Sequence, residues 1–126
     1  MKHAINHDAL REHLLTSLGM TLPRRVPDLP ELRRGQWSAK FEQLQRHRLI
    51  MGAFRYGLLD EQRATGGNGY DNVGSLIKRA EAYQATGNLE YLVDVANLAM
   101  VEFEVGSHPT RHFVVIDDGE HTKANL

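Results

Sequence analysis

Two carboxylates and one carboxamide stand at helical spacing within NLEYLVDVANLAMVEFE, residues 88–104. Glu90, Asp94 and Asn97 fall on one narrow stripe, because positions three and four apart share a helix face. Like charges on one face repel each other, so the pair needs a basic partner, a proton or a divalent cation. Mg²⁺ prefers carboxylate oxygens, which makes the pair a candidate metal site. The alternative is an ion pair across a helix interface with Arg46, Arg48, Lys78 or Arg79.

The acidic helix belongs to a longer pattern. The segment FRYG, residues 54–57, ends one predicted helix; a basic helix, a tight turn and Glu-x-x-x-Asp-Val-Ala-Asn (residues 90–97) follow. This combination, over about residues 37–104, resembles the MazG-like all-α nucleoside triphosphate pyrophosphohydrolases and their phage-encoded relatives. Two details differ from the usual family pattern. The expected Glu-Glu-x-x-Glu is reduced to Glu42, and the later acidic pair is one residue wider.

The resemblance implies an activity and its requirements. Members cleave a (d)NTP to the (d)NMP and pyrophosphate with Mg²⁺ (or Mn²⁺) held by acidic residues, and they form homodimers or homotetramers. For this chain it implies a cytoplasmic hydrolase of a bacterium or a phage-infected cell. Metal ions in such reactions neutralise phosphate charge and activate the attacking water.

Site roles follow from this chemistry as hypotheses. Glu90 and Asp94 are the expected catalytic residues, and together with Glu42 they are the expected metal ligands. Asn97 is expected to orient the ligand or a metal-bound water. Arginine and lysine bind phosphate groups well, and aromatic rings can stack on a base. The candidate phosphate-binding residues are Lys78 and Arg79, and the candidate base-stacking residues are Tyr56, Trp37 and Tyr70.

Composition excludes several classes of protein. The 126 residues contain 15 Lys and Arg against 16 Asp and Glu, a net charge of −1, and no cysteine. Without cysteine there is no disulfide scaffold, thiolate zinc site or cysteine nucleophile. Near-zero net charge argues against a nucleic-acid binder, although arginines are frequent from Arg24 to Arg48. No apolar run approaches the roughly 18–20 residues of a membrane span, and the N-terminus lacks a signal-peptide core.

The periodicity predicts an all-α antiparallel bundle of about four helices with an extended C-terminal strip. The apolar stripes expected to face the core are Phe41, Leu44, Met51, Phe54 and Leu58 in the second helix and Val73, Leu76, Ile77, Ala80 and Tyr83 in the third. The predicted helices run from Asn6 or Asp8 to Gly19, from Ser38 to Tyr56, from Asp71 or Asn72 to Ala85, and from Asn88 to about Glu104.

The remaining segments complete a single predicted domain, residues 1–126, with its core at about 37–104. Residues 20–36 hold three prolines and four arginines and are predicted to form a loop. The apolar run 113–116 is expected to pack on the bundle as an extended strip, and residues 117–126 to fray. The alternative to an enzyme is a non-catalytic, oligomeric helical interaction module that uses the basic loop from Arg24 to Arg34 as its contact surface.

Overall fold

The helices predicted from the sequence are present in the computed structural model, which describes residues 7–17, 27–67 and 69–115. Over these residues the chain is all-α and contains no β-strand, so the predicted fold class is confirmed. Six helices are found where about four were expected. They are α1 (His7–Ser17), α2 (Leu29–Gly35), α3 (Ala39–Tyr56), α4 (Leu59–Ala64), α5 (Asn72–Thr86) and α6 (Glu90–Val105).

The chain divides into two compact units. One, the central unit, is Ser38–Arg111 and contains α3 to α6; the other consists of Met1–Trp37 and His112–Leu126 and contains α1 and α2. This division differs from the single domain expected for residues 1–126. The central unit nevertheless lies close to the predicted core, about residues 37–104.

Helix α2 lies within the segment that was predicted to be a loop, so that part of the prediction is wrong. Asp28 accepts a hydrogen bond from the Glu31 backbone N–H (2.9 Å), and the Glu31 side chain accepts one from the Asp28 N–H (3.4 Å). This capping box satisfies donors that a helix start leaves unpaired. Pro30 stands in the first turn, where a missing N–H costs nothing. The rest of the predicted loop, residues 20–26 with Arg24 and Arg25, lies outside the described residues.

Helix α3 has the predicted boundaries. The Ser38 hydroxyl accepts a hydrogen bond from the Phe41 N–H (3.0 Å), and the helix ends at Gly57, whose φ of 87° is a conformation that favours glycine. The short helix α4 was not predicted. Its first turn is fixed by Glu61, whose side chain accepts a hydrogen bond from the Leu58 N–H (2.8 Å).

Helices α5 and α6 form the predicted antiparallel hairpin. Asp71 caps α5 by accepting from the Gly74 N–H (2.9 Å), and Gly87 ends it in the left-handed conformation. The start of α5 lies beside the end of α6, because Nδ2 of Asn72 donates to Oε1 of Glu102 (3.1 Å). Since α6 also packs against α3 and α4, it is the central helix of this unit.

Burial departs from the predicted apolar stripes on α3 and α5. On α3, Phe54 is 92% exposed, and no residue of that helix is fully buried. On α5, Val73 and Ile77 are exposed. The other members of the two stripes that the structure exposes are Met51 and Leu58. The periodicity identified the helices correctly but did not identify the face that meets α6, whose buried residues are Val93, Asn97 and Val105.

The C-terminal strip is only partly as expected. Residues 111–115 form neither helix nor strand, in agreement with an extended segment. Phe113, Val114 and Val115 are each more than half exposed. The expected packing of this strip on the bundle stays a prediction. Residue 116 and the predicted frayed tail, residues 117–126, lie outside the described part of the chain. No helix within that described part is long and apolar enough to cross a membrane.

Candidate functional site

A cavity of about 420 Å³ opens in the central unit, along the contact of α3 with α6. Its lining combines charged and amide side chains with a larger apolar set. The polar and aromatic lining residues are Arg48, Arg55, Tyr56, Gln62, Tyr70, Asn72, Ser75, Arg79, Asp94 and Asn97. Three arginines and one carboxylate are among the lining residues, which leaves the cavity with a positive excess. A concave, largely apolar pocket with a few convergent polar groups is the usual form of a small-molecule site.

Asp94 is held between two arginines from two other helices. Its Oδ1 accepts a hydrogen bond from Nε of Arg48 on α3 (3.1 Å), and its Oδ2 lies 3.4 Å from Nε of Arg79 on α5. The Asp94 side chain is 14% exposed, while those of Arg48 and Arg79 are 32% and 41% exposed. The carboxylate thus joins α3, α5 and α6 at one point.

The charge state of Arg48 follows from this contact. The hydrogen bond to Asp94 raises the pKa of Arg48 above its ordinary value, and the charges of Asp94 and Glu90 act in the same direction. Partial burial of the guanidinium lowers the pKa but does not outweigh the other effects. Arg48 is therefore a fixed positive charge of the cavity wall at any physiological pH.

Asn97 is the most deeply buried polar residue of the cavity floor after Asn72, with 7% of its surface exposed. Its Nδ2 donates a hydrogen bond to the backbone carbonyl of Gln45 (3.1 Å), which ties α6 to α3. Its Oδ1 is shielded from solvent and has no hydrogen-bond partner among the described residues. An unpaired buried acceptor costs about 1–3 kcal/mol, so native proteins rarely keep one without a reason.

Two tyrosines form an aromatic wall of the cavity. The rings of Tyr56 and Tyr70 meet edge to face, with centroids 4.9 Å apart and planes at 61°. Tyr56 is the last residue of α3, and the turn at Gly57 leads directly into α4. Tyr70 precedes the Asp71 cap of α5. The ends of two helices therefore place both rings, and each ring remains about half exposed.

The loop between α4 and α5 is held against the end of α6. The Gly67 N–H donates to the Gln62 carbonyl (2.8 Å), and Gln62 in turn donates through Nε2 to the Gly57 carbonyl (2.9 Å). Gly67 has a φ of 102°, and a Cβ atom at this position would lie only 2.8 Å from the Val105 carbonyl oxygen. The position therefore requires glycine for both conformation and space.

Four of the predicted site residues meet in the cavity. Asp94, Asn97, Arg79 and Tyr56 line it, as does Tyr70, which was a candidate for base stacking. Of the alternatives stated for the acidic pair, the ion pair is the one that Asp94 makes, with Arg48 and Arg79.

The remaining predicted residues are not gathered at this site. Glu42 forms an ion pair with Arg46 one turn along α3. Glu90 and Lys78 are exposed and do not line the cavity, and Trp37 belongs to the other unit. The spacing of Glu90 and Asp94 placed them on one face, but α3 and α5 cover only the part of that face that holds Asp94.

The predicted metal ligands Glu42, Glu90 and Asp94 do not form a metal centre in this arrangement. Within residues 7–17, 27–67 and 69–115, no three acidic or histidine side chains are grouped to hold an ion. Both oxygens of Asp94 also face guanidinium groups, and two positive charges beside a carboxylate oppose the approach of a cation. The binding of Mg²⁺ or Mn²⁺ by these residues stays a prediction.

Sequence reasoning missed several polar residues of the cavity. Asn72 and Ser75 were missed; with the predicted Arg79 they stand at positions i, i+3 and i+7 and form a polar stripe on α5 that the helical period could have revealed. Gln62 was not accessible in the same way, because α4 itself was not predicted. Arg55 carried no distinguishing signal, since it is one of several arginines on α3.

No protein-family model, no curated protein and no solved structure matches this chain.

Proposed function

We propose that the cavity of the central unit binds a nucleoside phosphate. The observation that carries the proposal is the lining itself, in which three arginines outnumber the single carboxylate and a tyrosine pair forms another wall. A nucleoside phosphate has both parts that this lining suits, a strongly negative group and a flat ring. The rest of the lining is apolar, which favours transfer of the flat ring from water into the cavity.

Arg48 and Arg79 are the proposed phosphate-binding residues. Each directs its Nε toward Asp94, and its Nη1 already has a partner, Sδ of Met51 for Arg48 (3.5 Å) and the Ser75 carbonyl for Arg79 (3.4 Å). The remaining Nη N–H groups are the proposed donors to a phosphate. Because Asp94 holds both side chains in place, less rotamer freedom is lost when a phosphate binds. Tyr56 and Tyr70 are the proposed contacts of the base.

The proposal extends to hydrolysis of a (d)NTP to the (d)NMP and pyrophosphate with Mg²⁺ or Mn²⁺. Its support is the resemblance of residues 37–104 to the MazG-like pyrophosphohydrolases, together with the presence of Asp94 and Asn97 of that pattern in one cavity. Nucleotide binding rests on the cavity and does not depend on this extension.

Binding is tested by titrating the protein with a panel of dNTPs and NTPs in a calorimeter, without metal and then with Mg²⁺. Arg48→Met and Arg79→Met should each weaken binding about 10- to 100-fold, the range expected for a lost charge-assisted hydrogen bond. Arg46→Met is the matched control, because Arg46 lies on the same helix as Arg48 but pairs with Glu42 outside the cavity. The proposal would be contradicted if Arg48→Met and Arg79→Met bound nucleotides no more weakly than Arg46→Met does. It would also be contradicted if the wild type bound no nucleotide.

Hydrolysis is tested by pyrophosphate release from the same panel with Mg²⁺ or Mn²⁺. Asp94→Asn should abolish release, because it removes the carboxylate that is the proposed catalytic group. If the wild type binds nucleotides but releases neither pyrophosphate nor phosphate, the cavity is a binding site without this activity.

A specific observation favours a second candidate, a non-catalytic module that self-associates. Ile50 and Phe54 lie one turn apart on α3 and are 68% and 92% exposed, and exposed apolar patches are typical of protein contacts. Light scattering after size exclusion would then show a dimer or tetramer that Phe54→Ser dissociates. A monomer at all concentrations would reject this candidate, whereas a dimer that also binds nucleotides would fit both.

A further inference from the structure

The unpartnered oxygen of Asn97 indicates that the cavity recognises a hydrogen-bond donor of its ligand. We infer that Oδ1 of Asn97 accepts a hydrogen bond from an N–H or O–H group of the bound nucleotide, which makes Asn97 a specificity-determining residue. This rests on the proposed nucleotide binding at the same cavity. It adds a requirement for a donor on the ligand, which charge alone does not impose.

The orientation of the Asn97 amide is fixed by its neighbour. The backbone carbonyl of Gln45 can only accept, so the amide group that faces it at 3.1 Å is the NH₂. Rotating the amide would set two oxygens against each other. Oδ1 is therefore held on the opposite side, as an acceptor for which no described residue supplies a donor.

The position of Asn97 on α6 connects this acceptor with the cavity. Asp94 lies three residues before it and Val101 four residues after it, and all three line the cavity from one helix face. Because only 7% of Asn97 is exposed and its Oδ1 is shielded from solvent, water competes poorly for this oxygen, and a ligand donor reaches it only by displacing the side chains that cover it. A ligand donor that reaches Oδ1 gains a hydrogen bond without displacing one to solvent.

The chemistry of the ligand restricts where this donor comes from. Ionised phosphate oxygens are acceptors, so they pair with the arginines and cannot pair with Oδ1 of Asn97. The donor must be an amino or imino group of the base or a hydroxyl of the sugar. The cavity should thus distinguish nucleotides that carry the same phosphate chain, because a site that leaves a buried polar group unpaired disfavours the analogue.

Nucleotide pairs that differ by one donor test the inference in the wild-type protein. The pairs are dGTP with dITP for the 2-amino group, dATP with the purine deoxyriboside triphosphate for the 6-amino group, dTTP with its N3-methyl derivative for the ring N–H, ATP with dATP for the 2′-hydroxyl, and each dNTP with its dideoxy analogue for the 3′-hydroxyl. At least one pair should differ in affinity about three- to tenfold, the range of one neutral hydrogen bond.

Variants then assign that difference to Asn97. Asn97→Ala and the nearly isosteric Asn97→Leu should bind both members of the discriminated pair equally. Asn72→Ala is the matched control, since Asn72 also lines the cavity and is buried but donates to Glu102, and it should keep the difference. A wild type that binds nucleotides without discriminating any pair overturns the inference, as does discrimination that survives both Asn97 variants. A wild type that binds no nucleotide overturns the proposed function, and this inference with it.

Discussion

The two sides of α3 differ in polarity. The side that meets α6 carries Arg48 and the backbone carbonyl of Gln45, which contact Asp94 and Asn97. The side that faces away carries Ile50 and Phe54, which are 68% and 92% exposed. Helices that pack in a bundle usually have the reverse arrangement. The difference teaches that polar contacts help to hold α3 to α6, and that Ile50 and Phe54 contribute little to that attachment.

The comparison is tested most severely at Asp94. Asp94→Ala leaves two guanidinium groups without their carboxylate, and we expect it to lower the free energy of unfolding by about 2 kcal/mol. This is less than the 3–5 kcal/mol typical of a fully buried pair, because both arginines remain partly exposed. Urea denaturation followed by circular dichroism measures the change. A loss below about 0.5 kcal/mol would mean that the polar side of α3 does not hold it in place.

A variant at Val93 tests how much the buried apolar surface of α6 contributes to stability. Val93→Ala removes two buried methyl groups, so we expect a loss of about 1.5 kcal/mol. Val73→Ala is the matched control, because the same atoms are removed from an exposed position of α5. Thermal melting of the two variants should separate them by several degrees. Equal melting temperatures would show that the assignment of α6 as the central helix is wrong.

Asn72 tests the second buried amide, at the far end of the hairpin. Asn72→Ala removes the donor to Glu102 and should cost about 1 kcal/mol, the usual net value of one hydrogen bond. Hydrogen exchange should show the loss locally, as faster exchange in the last turn of α6. Unchanged exchange in that turn would argue against this contact as a link between the helix ends.

The smallest change in the free energy of unfolding is expected at Phe54. Phe54→Ser should change the free energy of unfolding of the monomer by no more than about 0.5 kcal/mol, as is usual for exposed positions. Denaturant titration at low protein concentration measures it. A loss above 2 kcal/mol would break the comparison between the two sides of α3. A loss that increases with protein concentration would instead indicate the self-association described above.

The sequence predicted the helices well because their signals are local. Ser38, Asp71 and Gly87 are capping residues whose chemistry acts within one turn, and all three mark the boundaries found in the structure. Helix α2 was missed because three prolines indicate a loop, whereas the capping box of Asp28 and Glu31 starts a helix there. One of those prolines stands in the first turn, where it fits a helix.

The site was only half predictable, for a different reason. The spacing of Glu90, Asp94 and Asn97 defined a helix face but not the extent to which other helices cover it. That extent depends on Arg48 and Arg79, which are 31 residues apart and meet only through Asp94. Several arginines compete for such a role in the sequence, and nothing local distinguishes them. The choice between a metal and an ion pair is therefore a tertiary property.

Gly67 lets the loop between α4 and α5 approach the end of α6 closely. It lies between Gln62 and Tyr70, which both line the cavity, and it touches the Val105 carbonyl with no room for a methyl group. A residue of any other type there would push the loop from the end of α6 and carry Tyr70 with it. The position of the loop before Tyr70 thus depends on a hydrogen atom, at a residue that does not itself line the cavity.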